Sequence, residues 1–293
     1  MGGSGTPRRP QTNRADRAVH RRLLEGMGFE LIPLKNIANQ AARLPAGATV
    51  SVTCSPAGTI DDTLDLCATF TAAGHTTVPH VAARMVDGED HVDRIVARLT
   101  AQGIRRVFVI GGDAEQRGPF ADAAGFLRSF LDRRPPVDAV GIGAYPDGHP
   151  SIPDRVLVEA LAEKQAMITG AGLEGYLATQ MCFDPGTIAD WLAARRAAGI
   201  TLPCHLGVPG AIDPARLLSI SLRLGVGVSA RYLKKNRLSV LRLLSPRRYD
   251  PNKLVAPLSA VADQLGIVGI HCFTFNSVEA TETWRQKSLA RLA

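Results

Sequence analysis

Eight short runs of apolar or small residues recur along the chain. They lie at Phe29–Pro33, Thr49–Cys54, Thr76–Val81, Arg106–Ile110, Ala139–Tyr145, Tyr176–Phe183, Thr201–Val208 and Val268–Phe275. Such nearly continuous runs suit strands covered on both faces. Between them the apolar positions fall at helical spacing, as in Asp61–Ala73, where Leu64, Cys67 and Phe70 share one side. Further helices are predicted at Asp90–Gln102, Gly118–Arg133, Asp154–Ala171, Pro185–Ala198, Pro214–Leu224 and Pro251–Gln264, with Gly199 as a C-cap. Strand and helix alternate eight times, which predicts an α/β fold, a single (β/α)8 TIM barrel. A doubly wound open sheet would carry a GxGxxG turn after its first strand. Here Lys35-Asn36-Ile37 follows instead.

Residues 1–27 read as a flexible or loosely docked basic extension and 28–293 as the barrel. Residues 1–24 show no sustained apolar stripe, so they are expected to add little to the core. The segment 209–255 is long for one crossover, so two helices and a basic loop are expected there.

Composition narrows the class. Of 293 residues, 45% are hydrophobic and 21% charged, an ordinary globular balance that excludes wholesale disorder. No apolar run approaches the roughly 18 residues of a membrane span, and no secretory signal is visible. Five scattered cysteines without CxxC spacing argue against a disulfide scaffold or zinc ribbon and suit reduced thiols, hence a cytoplasmic location. The net charge of +7 is concentrated: residues 1–22 hold six arginines against Asp16, and 231–253 hold eight basic groups against Asp250. These clusters lack interleaved aromatics, so a solvated tail and an anion-binding loop are preferred to a nucleic-acid surface. No membrane partner is expected, and the protein is expected to be a monomer or small homo-oligomer.

In a barrel, chemistry collects at the C-terminal ends of the strands. Those ends offer Glu30, Thr53-Cys54-Ser55, His80, Gly112-Asp113, Tyr145 to His149, Thr179-Gln180, His205 and Thr274 to Asn276. The opposite rim holds mostly Gly, Ala and Arg, an asymmetry that points to an enzyme. Glu30 between Phe29 and Leu31 is either a buried acid with a raised pKa or half of an ion pair with an arginine on a neighbouring strand. Asp113 is a site residue or a helix N-cap. His80 orients a substrate or bonds a carbonyl. His75 and His80 lie on opposite faces of their strand, and no metal site is expected from the spacings. Ser55 lacks a GxSxG setting, so serine hydrolysis is unsupported.

Seven segments in order, each at a strand end, resemble the methylenetetrahydrofolate reductase family: Phe29-Glu30, Ser51-Val52-Thr53, Pro79-His80-Val81, Gly112-Asp113, Ala144 to Pro150, Thr179 to Asp184, and Phe273-Thr274-Phe275-Asn276. The resemblance implies reduction of 5,10-methylenetetrahydrofolate to 5-methyltetrahydrofolate with NADH or NADPH. It makes Glu30 the general acid that opens the imidazolidine ring at N10. Asp113 becomes a catalytic and folate-facing carboxylate, and Gln180 a pterin-binding amide. It places Asn276 on the substrate side, and it places Thr53, His80, Gly112, Tyr145 and His149 at the cofactor. The family pattern also implies FAD, held by an arginine before the Gly-Asp pair and a lysine before strand six. Those positions are Gly111 and Ile168, the nearest lysine is Lys164, and Ser277 replaces an arginine associated with the folate tail. Without the two cations the sequence favours direct hydride transfer from NADH, with FAD as the alternative. Two other functions fit the pattern: a folate-dependent methyl-transfer or demethylating barrel, and a catalytically silent folate-binding protein. Glu30 argues against the latter, since a binder needs no buried acid.

Overall fold

The structure, a computed structural model, describes residues 14–211 and 250–293. The expected helix at 214–224, the basic loop and most of the basic stretch 231–253 lie outside the described residues. Eight parallel strands close into one barrel in sequence order. They are β1 (Gly28–Leu31), β2 (Thr49–Val52), β3 (Thr76–Ala82), β4 (Arg106–Ile110), β5 (Ala139–Ala144), β6 (Glu174–Thr179), β7 (Cys204–Pro209) and β8 (Ile267–Phe273). Closure is made by β1 against β8, with Gly28, Phe29 and Glu30 opposite His271, Cys272 and Phe273.

The helices, numbered among the described residues, are α1 (Arg14–Glu25), α2 (Ile37–Ala41), α3 (Ile60–Ala72), α4 (Glu89–Ala101), α5 (Ala123–Asp132), α6 (Asp154–Gly170), α7 (Pro185–Ala197), α8 (Asn252–Ser259), α9 (Ala262–Leu265) and α10 (Val278–Leu292). Local chemistry sets their starts. Thr59 and Asp62 form a reciprocal capping box on α3, and the Asp184 carboxylate accepts from the amides of Gly186 and Thr187 ahead of α7, where Pro185 opens the helix. Among the described residues no helix is long and apolar enough to cross a membrane.

Two apolar layers follow from strand alternation. Outward residues such as Phe29, Leu31, Val50, Val52, Val107 and Val109 pack under the helices. Inside the barrel lies a second cluster of Val78, Phe108, Ala178, Ile110 and Tyr176. It is continued by imidazoles: His80 and Phe108 ring centres are 4.7 Å apart, and Tyr176 and His205 are 5.1 Å apart. A lumen filled with rings rather than branched aliphatics needs room. Gly141 provides it, because a Cβ there would stand 2.5 Å from the Tyr176 hydroxyl.

The reading of residues 1–27 as a loose extension is corrected from Arg14 onward. Residues Arg14–Glu25 form a helix with Leu23 and Leu24 fully buried. That helix packs on β8 and between α8 and α10. Arg285 Nη1 donates to the Leu24 carbonyl at 3.3 Å, and Arg22 pairs with Asp263 at 2.6 Å. A short apolar face made by His20, Leu23 and Leu24 is enough to dock it. Arg14, Arg17, Arg21 and Arg22 occupy its exposed side.

Candidate functional site

At the C-terminal ends of the strands a cavity of about 200 Å³ opens into the lumen. Its walls are largely apolar, with Ile32, Met85, Phe108, Ile110, Phe273 and Phe275, and its polar lining includes Glu30, Thr53, His80, Asp113, Tyr145 and Gln180. Alternation along β1 turns Phe29 and Leu31 outward and Glu30 inward, where its side chain is 12% exposed. Among the described residues no arginine meets it. Glu30 Oε2 lies 2.9 Å from His271 Nε2 and 4.0 Å from His80 Nε2, a carboxyl–imidazole contact in place of the alternative arginine pair. His80 Nε2 is buried without a hydrogen-bond partner. Burial lowers the His80 pKa to about 4, with His271 adding to the fall and Glu30 opposing it.

The other expected site residues divide. Thr53, His80, Gly112, Asp113, Tyr145 and Gln180 line the same cavity as Glu30. Asp113 is exposed at the rim and caps no helix; α5 starts ten residues later under Asp122. Gly112 brings Asp113 there with φ at +86°, in a place where a Cβ would come within 2.9 Å of Ala82 Cβ. Gln180 is fixed at the mouth: its amide donates to the Ala144 carbonyl at 2.7 Å, and its side-chain oxygen accepts from Met181 N at 2.8 Å. Burial raises the Tyr145 pKa, and the nearby Asp113 charge adds to the rise.

Two residues are not brought to the cavity. His149 stands edge-on behind Tyr145, 5.4 Å between ring centres, and its Nδ1 accepts from Ser151 N. Asn276 is fully buried, accepting from Ile32 N at 2.9 Å and donating to Ile32 O at 2.8 Å. It ties the end of β8 to the end of β1. The neighbouring Phe275 faces the cavity instead. His271 is the residue that the strand-end reading missed. The period-two series His271, Phe273, Phe275 marks it as inward-facing, but it lies before the end of β8, which closes at Phe273.

Spacing in the sequence gave no metal set, yet the barrel gathers Glu30, His80 and His271 from three strands, with potential donor atoms within 4.8 Å of one another. Sequence spacing is therefore no guide to this cluster. A second groove of about 680 Å³ shares Gly143, Ala144 and Tyr145 with the cavity and runs along α6 and α7. Lys164 lines it, with a pKa lowered by burial. Gly111 also borders this groove, whereas Ile168 is fully buried in the core.

The model of the methylenetetrahydrofolate reductase family matches residues 32–212, more than half of the chain. The chain belongs to that family. A curated relative, methylenetetrahydrofolate reductase 2 of Saccharomyces cerevisiae, is 22% identical over 125 residues, 40% of this chain and 20% of its own length. The matched part thus spans about a fifth of that relative. Among solved structures, an uncharacterized Clostridium thermocellum protein that binds two copies of 5-methyl-5,6,7,8-tetrahydrofolic acid superposes with a TM-score of 0.60 at 14% identity, covering 91% of this chain and 94% of that one. Oxaloacetate acetylhydrolase in complex with 3,3-difluorooxalacetate gives 0.51 at 12% identity, covering 96% and 87%. At such identities the likeness is one of fold.

Proposed function

We propose that this member of the methylenetetrahydrofolate reductase family reduces 5,10-methylenetetrahydrofolate to 5-methyltetrahydrofolate with a hydride from NADH or NADPH. The observation that carries the reading is the Glu30 carboxyl, set at the base of an apolar-walled cavity whose rim bears Asp113 and Gln180. Glu30 gives a proton to N10 of the folate. The bond between N10 and the bridging methylene then breaks, leaving an N5 iminium. Hydride adds to that methylene carbon and the oxidised nicotinamide departs. The apolar walls exclude water, which would otherwise capture the iminium. Gln180 faces the pterin, and Asp113 stabilises positive charge developing on it.

Direct transfer without flavin is part of the proposal. The positions where the family pattern implies phosphate-binding cations are Gly111, which has no side chain, and Ile168, which is an aliphatic core residue. Each missing charge-assisted contact would be worth roughly 1.5–3 kcal/mol. These residues do not fit a flavin pyrophosphate, so no step is routed through one. The adjoining groove along α6 gives the adenosine half of a nicotinamide dinucleotide a path out of the cavity. The test is to mix purified protein, with no flavin added, with NADH and methylenetetrahydrofolate. The expected result is stoichiometric NADH loss and formation of 5-methyltetrahydrofolate. Folate binding with no NADH oxidation would instead favour a methyl-transfer enzyme or a silent binder.

A further inference from the structure

We propose that His271 is the positioning residue for Glu30, holding Oε2 as an acceptor so that the acid proton sits on Oε1. This rests on the reductase reading for its kinetic consequence but not for the contact itself. The 2.9 Å separation between Glu30 Oε2 and His271 Nε2 is a hydrogen-bond distance, and such a bond needs a hydrogen on one of the two atoms. His80 does not share the task, because its Nε2 is 4.0 Å from the carboxylate and unpartnered.

The His271 ring is itself held. It stacks at 5.8 Å on Phe108 and 5.9 Å on His80, and Phe273 meets it edge-on at 5.1 Å. Its strand is bonded to β1 on one side and β7 on the other. Among the described residues, the titratable groups that feel the pair electrostatically are His80 from β3, which feels both, His205 from β7, which feels His271, and Cys272 on the outer side of β8, which feels Glu30. With Nε2–H donating to Oε2, only Oε1 can carry the transferable proton. Once that proton has moved to N10, the same N–H bonds a carboxylate instead of a carboxylic acid. A charge-assisted bond is about twice as strong as a neutral one, so His271 favours the state after proton transfer.

Two variants separate this role from simple packing. His271→Phe keeps a stacking ring and removes the donor; His271→Gln loses the ring and keeps an N–H of similar reach. The donor-less variant should lose about 10–10²-fold in kcat with KM changed by less than about threefold, and Gln should recover most of it. The reverse order, Phe active and Gln inactive, would overturn the proposal, as would equal activity in both. If Phe prevents folding by circular dichroism, His271→Leu serves as the donor-less variant. Dialysis against EDTA should leave wild-type turnover unchanged; a loss restored by a divalent ion would overturn the proton-joined pair. A readout independent of turnover is NMR of isotope-labelled histidine. One slowly exchanging Nε2–H resonance should be lost in His271→Phe and move in Glu30→Gln, and its absence from wild type would overturn the contact. Failure of the reductase reading would appear differently, as a wild-type protein that shows this resonance and oxidises no NADH.

Discussion

Glu30 is a polar residue in an apolar strand, and the energetic question is what offsets its burial. An isolated carboxylate in such a place would cost several kcal/mol. Among the described residues the offset is His271 rather than an arginine, and an imidazole can share or return a proton where a guanidinium cannot. Glu30→Gln keeps the shape and the contact to His271 while removing the transferable proton. General-acid catalysis is typically worth about 10²–10⁴ in rate, so turnover should fall by about that much. Folate affinity, measured calorimetrically with 5-methyltetrahydrofolate, should be kept. A variant that binds and turns over at wild-type rate would reduce Glu30 to a structural residue. The buried imidazoles also make a pH prediction. Burial depresses both His80 and His205 to about 4, with His271 pulling each down further and Glu30 opposing the fall at His80. The unfolded chain therefore binds more protons than the folded one between about 4 and the ordinary histidine value of about 6.5. The stability that depends on their neutrality is fully present above that window and is lost as pH falls through it. Melting temperature should accordingly drop between pH 7 and pH 5, and His205→Gln should flatten part of that slope.

At the scale of elements, α1 changes most between sequence and structure. Its outer arginines dominate the composition of residues 14–22, whereas Leu23 and Leu24, two adjacent leucines at its end, carry the docking. A stripe that short gives no periodicity to read. The prediction is that Leu24→Ala costs about 2–5 kcal/mol, the usual range for a fully buried leucine, and lowers the melting temperature measurably. An unchanged melting curve would mean that α1 is only laid against the barrel. All eight strands were legible, because each is a run bounded by turn residues and covered on both faces. The misplaced ends have local causes. Tyr176–Phe183 is apolar except for Thr179 and Gln180, yet β6 stops at Thr179, the last residue paired with β5, and the remaining four residues leave the sheet at the cavity mouth. The helix expected from Gly118 begins at Ala123, where the Asp122 carboxylate accepts from Gly125 N and caps it. Asn276 illustrates the limit for site residues. A strand-end asparagine looks the same in sequence whether its amide meets a ligand or, as here, the backbone of Ile32 across the barrel seam.

At the scale of the whole molecule, the cavity at the strand ends and the groove along α6 meet at Tyr145, which lines both. A flavin reductase of this architecture has to hold a dinucleotide permanently, which calls for cations facing a pyrophosphate. A reductase that takes its donor from solution needs only to admit the nicotinamide ring and let the rest exchange. The proposal of direct transfer follows the second demand, since Gly111 has no side chain and Ile168 is locked in the core, where the family pattern implies cations. The protein purified without added flavin should therefore be colourless and still convert methylenetetrahydrofolate with NADH, and added FAD should not raise its rate. The absorbance spectrum of the purified protein, recorded before and after denaturation, checks the first part; steady-state assays with and without FAD check the second. A yellow protein that loses activity when stripped and regains it with FAD would overturn direct transfer. It would also direct attention to another source of cations for the pyrophosphate. Gly111→Arg makes the argument reversible. If the missing guanidinium is what denies flavin a foothold, restoring it should strengthen FAD binding, by up to about tenfold for a single partly exposed charge-assisted contact, measured by quenching of flavin fluorescence.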